Sequence, residues 1–167
     1  IPFFSAIEFD VKSNYDSGET LIAKLNGVFI DPITVDNVYF YKGSVKTPIN
    51  FDITKIQGDY YIYALLPEVT SSNSSYSISI KNVQYYKGSQ ITKEEIQKNF
   101  TISENKATFS LTPGFIISKT GFSLTIQNLK ENSISVNINT GTQTVSTSNQ
   151  TSGGFFSFLI DTPVSGG

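Results

Sequence analysis

Tyr76-Ser77-Ile78-Ser79-Ile80 sets large apolar side chains two residues apart with serine between them. Successive side chains of an extended chain point to opposite faces, so this stretch reads as a strand with one buried and one polar side. The same alternation recurs outward from it. Ile7, Phe9 and Val11 alternate with Glu8 and Asp10; Leu21, Ala23 and Leu25 make a second face; Val38 and Phe40 alternate with Tyr39 and Tyr41; and Tyr60-Tyr61-Ile62-Tyr63-Ala64-Leu65 repeats the pattern. Turn residues punctuate the runs at Asp16-Ser17-Gly18, Asn26-Gly27, Asp31-Pro32, Lys42-Gly43, Gly58-Asp59, Pro67 and Lys87-Gly88. Short strands at this spacing predict a two-sheet sandwich.

Composition points the same way. Ile (20), Val (10) and Thr (17) outnumber Ala (4) and Leu (8), and 13 Phe and 9 Tyr are added to them. Such side chains suit a pleated sheet and lose rotamer freedom in a helix, so the chain reads as nearly all β. One helix is expected near residues 93–98, because Thr92-Lys93-Glu94-Glu95 fits a capping box with Ile96 as its inward anchor.

The 167 residues include no Cys, His, Met, Trp or Arg. Without imidazole or thiolate there is no His- or Cys-based metal centre, no Ser-His-Asp or Cys-His nucleophile and no iron–sulfur cluster; no cofactor is expected, and disulfides are excluded. Net charge is −2 and no arginine is available to grip phosphate or guanine, so nucleic-acid binding is not expected. No run of about 18 apolar residues occurs, so no transmembrane segment is expected. The chain opens on Ile1-Pro2-Phe3 without an initiator Met, which suggests a processed mature protein or a piece of a longer one.

Charge divides the chain. Residues 106–167 hold five charged side chains against 21 in residues 1–105, and none lies between Glu131 and Asp161. Two domains follow from this, 1–104 as the first sandwich and 105–167 as a second β module with a Ser/Thr/Gly-rich loop at 140–154. Alternation in Ala107-Phe109-Leu111, Phe122-Leu124-Ile126, Ile134-Val136-Ile138 and Phe155 to Ile160 gives only four or five strands there, where a sandwich uses about seven. The second module is therefore expected to be incomplete, its remaining strands lying beyond the chain or coming from another chain or from the N-terminal segment. Ile1, Phe3 and Phe4, with Phe155, Phe156 and Phe158, are the candidate assembly strands.

Leu66-Pro67 followed by Ser75-Tyr76-Ser77-Ile78 resembles the entry to strand F of an immunoglobulin-like domain, with Tyr76 as its corner tyrosine and Ile78 where antibody domains carry a cysteine. Phe109 to Phe115, Gly121 to Asn128 and Ile134 to Ile138 are similar to the opening strands of Ig-like sandwiches in prokaryotic surface proteins. Together the chain resembles tandem Ig-like segments of large archaeal cell-surface, S-layer-like or filament proteins. The resemblance implies a structural or adhesive role outside the cell rather than a reaction.

Candidate sites are few. Asn73, Asn99 and Asn149 begin N-x-S/T tripeptides and are candidate glycosylation sites. Asp36 to Ser44 (D-N-V-Y-F-Y-K-G-S) returns 45 residues on as Lys81 to Ser89 (K-N-V-Q-Y-Y-K-G-S). Tyr39, Tyr41, Tyr85 and Tyr86 in these copies form a candidate binding surface, since tyrosine offers a large rigid face with a polar end. If the copies are strands C and F, their turns fall at opposite ends of the sandwich and do not share a site. Asn14, Asp16 and Glu19 place oxygens in one loop, but a solvated turn explains them better than a cation site. The function expected is a non-enzymatic structural component that self-associates with copies or neighbouring domains through sheet edges or strand donation. The alternative is an adhesin module that binds glycans or protein through exposed tyrosines.

Overall fold

The computed structural model describes residues 7–71, 74–114, 122–139, 144–149 and 155–160, with side chains to Val136. It is all β. In the first domain the strands are β1 (Glu8–Asp10), β2 (Asn14–Ser17), β3 (Thr20–Asn26), β4 (Val38–Lys42), β5 (Val45–Lys46), β6 (Phe51–Ile56), β7 (Asp59–Leu65), β8 (Ser74–Lys87) and β9 (Gln90–Lys106). One four-stranded sheet has the order β1-β3-β7-β6 and one five-stranded sheet the order β2-β9-β8-β4-β5. All pairings are antiparallel except β2 with β9, which run parallel from Asn14 opposite Thr101.

The alternating residues are what join the two sheets. Phe9, Leu21, Ala23, Leu25, Tyr60, Ile62 and Ala64 from the first sheet form one buried cluster with Tyr15, Val38, Phe40, Tyr76, Ile78, Ile80, Val83, Phe100 and Ile102 from the second. Removing this apolar surface from water is the main drive for the sandwich, at roughly 25 cal/mol per Å². Aromatic geometry adds to it. Phe100 meets Tyr15 edge-on with ring centroids 5.4 Å apart and stacks on Tyr76 at 5.8 Å.

The helix expected near 93–98 does not form. Thr92 to Glu95 lies inside the continuous 17-residue strand β9, which pairs with β8 from Lys87–Gln90 back to Ser74–Ile102. A capping box is a local preference of about 1 kcal/mol. Against it stands the ladder along the whole of β8, together with the burial of Phe100 and Ile102 at strand spacing.

β8 contains a bulge. Its register slips between Ile80 and Val83, and Asn82 adopts φ 58, a left-handed conformation that asparagine tolerates better than most residues. The extra residue exchanges the faces, so that even-numbered side chains point inward up to Ile80 and odd-numbered Val83 and Tyr85 do so beyond it. Asn37 Nδ2 braces the site by donating to the Lys81 carbonyl at 2.9 Å.

The second module contributes β10 (Phe109–Thr112), β11 (Phe122–Asn128), β12 (Ile134–Asn139), β13 (Thr144–Asn149) and β14 (Phe155–Ile160). These make a three-stranded sheet, β10-β11-β14, and a two-stranded ribbon, β12-β13. Strand β13 lies within the run read from sequence as a loop at 140–154, where Thr, Ser and Asn pair in unbroken register with β12. Ile126 is the buried member of a small cluster that includes Leu111, Phe122, Leu124, Ile134 and Val136.

The module is seated on the β2–β3 turn. Thr20 Oγ1 donates to the Leu111 carbonyl at 3.1 Å and accepts from its N–H at 3.0 Å, while Ala107 N–H donates to the Ser17 carbonyl at 2.9 Å. Among the described residues no helix is long and apolar enough to cross a membrane.

Candidate functional surfaces

The outer face of the five-stranded sheet is polar. Tyr39 and Tyr41 of β4 stand outward on it because Val38 and Phe40 occupy the inward positions. Both rings are half-buried, and lysines lie over them: Lys46 Nζ is 4.6 Å from the Tyr39 centroid, and Lys81 Nζ is 5.0 Å from Tyr39 and 5.3 Å from Tyr41. A hydrogen bond to Tyr41 holds the Lys81 ammonium above its ordinary pKa. These ring faces are thus occupied by the protein's own cations, which compete with a sugar ring stacking there.

Tyr85 and Tyr86 lie past the bulge. Tyr85 turns inward, bridges Phe29 and donates from its hydroxyl to Glu94 Oε1 at 2.7 Å, which raises its pKa. Tyr86 turns outward and is 58% exposed. The bridge sets Val28 opposite Tyr86, and Tyr86 is paired with Ile91, so Val28, Tyr86 and Ile91 form an exposed apolar row across three chain segments.

The two sequence copies adopt one local solution. Val38 and Val83 are both buried, and Gly43 and Gly88 both take positive φ, 58° and 68°, after a Lys that closes the strand. Their turns lie at opposite ends of β8: Gly43 N–H donates to the Ser75 carbonyl, whereas Gly88 follows Lys87. At about 3.3 Å per residue the two turns are roughly 40 Å apart and share no site.

In the Asn14–Glu19 loop the candidate oxygens are engaged within the chain. Glu19 accepts from Lys12 Nζ at 2.6 Å and from Asp16 N–H at 2.7 Å, Asp16 Oδ1 accepts from Ser103 at 3.1 Å, and Asn14 Oδ1 accepts from Thr101 at 2.7 Å. Among the described residues no group of three or more His, Cys, Asp or Glu side chains is placed to hold a metal ion.

Of the sequons, Asn99 is exposed on the outer face of β9, its Oδ1 accepting from Gln97 at 3.2 Å. Asn149 ends β13, with its side chain outside the described residues, and Asn73 lies outside them altogether. Ile1, Phe3 and Phe4 also lie outside the described residues. Phe155, Phe156 and Phe158 belong to β14, which pairs with β11 through Phe155–Gln127, Phe156–Ile126 and Phe158–Leu124.

Sequence reading missed one surface. Among the described residues β9 is paired on both sides only from Thr101 onward, where β2 joins it; from Gln90 to Asn99 its sole strand partner is β8. All ten of these side chains are exposed or half-exposed. The only signal available in the sequence was the alternation of Lys93, Glu94, Glu95 and Lys98, charges of the kind found on exposed sheet edges. Comparison with protein-family models and with curated proteins finds no match.

Proposed function

We propose that the chain is a non-enzymatic structural module of a cell-surface or extracellular assembly, built from Ig-like β units that associate through exposed sheet edges. The carrying observation is the second module. Its described strands form one three-stranded sheet and one two-stranded ribbon, Ile126 is the buried member of their apolar cluster among the described side chains, and residues 132–160 contain no charge. So small a sheet buries little of its apolar face, and an edge without charged residues invites pairing with a neighbouring strand.

The strand order of the first domain supports the Ig-like reading. With β1, β3, β7 and β6 taken as A, B, E and D, and β9, β8 and β4 as G, F and C, both sheets follow the immunoglobulin order. The absence of His, Cys and Arg supports a role without catalysis.

Light scattering on the purified chain across a concentration series tests the proposal. Concentration-dependent oligomers are expected, and Ser157→Lys, a charge placed in the edge strand β14, should weaken them about tenfold. A folded monomer at the highest concentration overturns the assembly reading. Intact mass of the chain from its native source tests the extracellular part, with a glycan on Asn99 as the expected mark.

A further inference from the structure

We infer that the open edge of β9 is a homodimer interface, in which two copies pair Gln90–Lys98 antiparallel about a two-fold axis through Glu94. The inference rests on the reading of the chain as an edge-associating module and names the partner and register for the first domain.

The edge is long and well defined. Gln90 to Asn99 presents backbone N–H and C=O groups on the side away from β8, and β2 closes the row at Thr101. A symmetric pair about an axis normal to the sheet keeps each residue on its own face, so paired residue numbers must share parity. β2 then limits the choice. Centring the pair on Ile96 would oppose Glu94 and Lys98, but it would also set the partner's Ile91 and Gln90 where Asn14 and Tyr15 already pair with Thr101 and Ile102. Centring on Glu95 would bring the partner's Gln90 to Phe100, beside the Ser13 carbonyl that accepts from Thr101 N–H, and would leave Lys93 opposite the uncharged Gln97; centring on Glu94 ends the pair at Gln90–Lys98, clear of β2, and opposes Lys93 to Glu95.

That register is self-complementary. On the outer face it sets Lys93 opposite the second copy's Glu95, twice by symmetry. Glu95 accepts a hydrogen bond from Ser79, and a carboxylate retains acceptor sites for a further donor. Ile91, 59% exposed at the end of the apolar row with Tyr86 and Val28, comes to lie beside Gln97 of the second copy, so the row is extended rather than left open at the edge. On the inner face Thr92 meets Ile96 twice, and the central Glu94 pair is the single like-charge contact. A second copy supplies this whole pattern, and it keeps the edge from pairing with unrelated strands whose charges do not match.

The chain has no cysteine, so single cysteines report the register without background. Directly opposed residues of an antiparallel pair have Cα atoms about 4.5–5.5 Å apart, within disulfide reach. Under mild oxidation Glu94→Cys should form a covalent dimer, while Thr92→Cys and Ile96→Cys should each do so only when mixed together. By sedimentation, Lys93→Glu should weaken dimerisation about tenfold, the double variant K93E/E95K should restore it to within about threefold, and Glu94→Gln should strengthen it several-fold.

If Glu94→Cys does not crosslink while the chain still self-associates and responds to Ser157→Lys, the β9 interface is wrong and the assembly reading stands. A chain that is monomeric throughout overturns both. Dimers that survive Lys93→Glu and are lost with Tyr86→Ser place the contact on the apolar row instead of the edge, and overturn the inference.

Discussion

Ile102 and Ile126 are the same side chain, each turned inward from a strand, in two different settings. Among the described side chains, Ile102 is one of eighteen buried residues in a cluster drawn from two sheets, whereas Ile126 is the buried member of a cluster whose other described members are only partly covered. Apolar alternation is as regular in β11 as in β8, so the difference does not come from the quality of the strands. It comes from what faces them. A sheet buries its inner side only against a second layer of comparable width, and the described second module has three strands and a two-stranded ribbon for that purpose.

The largest test of this contrast is Phe100→Ala. Phe100 is 2% exposed and contacts both Tyr15 and Tyr76, so its loss should cost about 3–5 kcal/mol in denaturant unfolding. A smaller cost would mean the two sheets are less closely joined than the shared cluster implies. The direct comparison is Ile102→Ala against Ile126→Ala. The first should cost about 3–4 kcal/mol and the second about 2 kcal/mol or less, because a partly covered site collapses more easily around a lost side chain. Equal costs would erase the distinction between the modules; a sharp rise in the cost of Ile126→Ala on oligomerisation would show that a neighbour completes the second core.

Gly114→Ala probes the seam. An added Cβ would stand 2.5 Å from Tyr63 Cβ, a contact that demands backbone movement and should cost about 1–3 kcal/mol, read as earlier unfolding or as faster proteolysis between the modules. A neutral result would show that the end of β10 is not held against β7.

The last effect expected is one of pH, confined to alkaline solution. Burial raises the Tyr15 phenol from its ordinary 10.0 to about 12, opposed by the Lys12 N–H that donates to its oxygen and helped by the nearby Glu19. The folded pKa lies above the unfolded one, so the contribution is complete below pH 10 and is lost as pH rises to about 12. Melting curves over that window should fall less steeply for Tyr15→Phe; an unchanged slope would show that Tyr15 is as accessible folded as unfolded.

Much of the first sandwich was legible in the sequence. The inward set Phe9, Leu21, Ala23, Leu25, Val38, Phe40, Ile62, Ala64, Ile78 and Ile80 follows from alternation, and each of these residues is buried. The tyrosine surface was legible only in part. Tyr39 and Tyr41 could be placed outward by parity, but the lysines over their rings come from β5 and from the turn of face in β8, which no local pattern records. Tyr85 and Tyr86 escaped the same reasoning because the bulge at Asn82 exchanges inner and outer positions midway along the strand.

By itself, then, the sequence determined the class of the fold and which side of most strands is buried, because a period of two is a property of the extended backbone and needs no partner. It also determined the division of charge between the two modules. Tertiary structure decided what depends on a distant neighbour. Thr92 to Glu95 carries a helix-start signal and is a strand because β8 offers a hydrogen-bonding ladder along the whole of β9. Among the described residues, Gln90 to Asn99 is an open edge because β2 joins β9 only at Thr101. Register and edge are long-range facts, fixed when separate segments meet and invisible in the order of residues along any one of them.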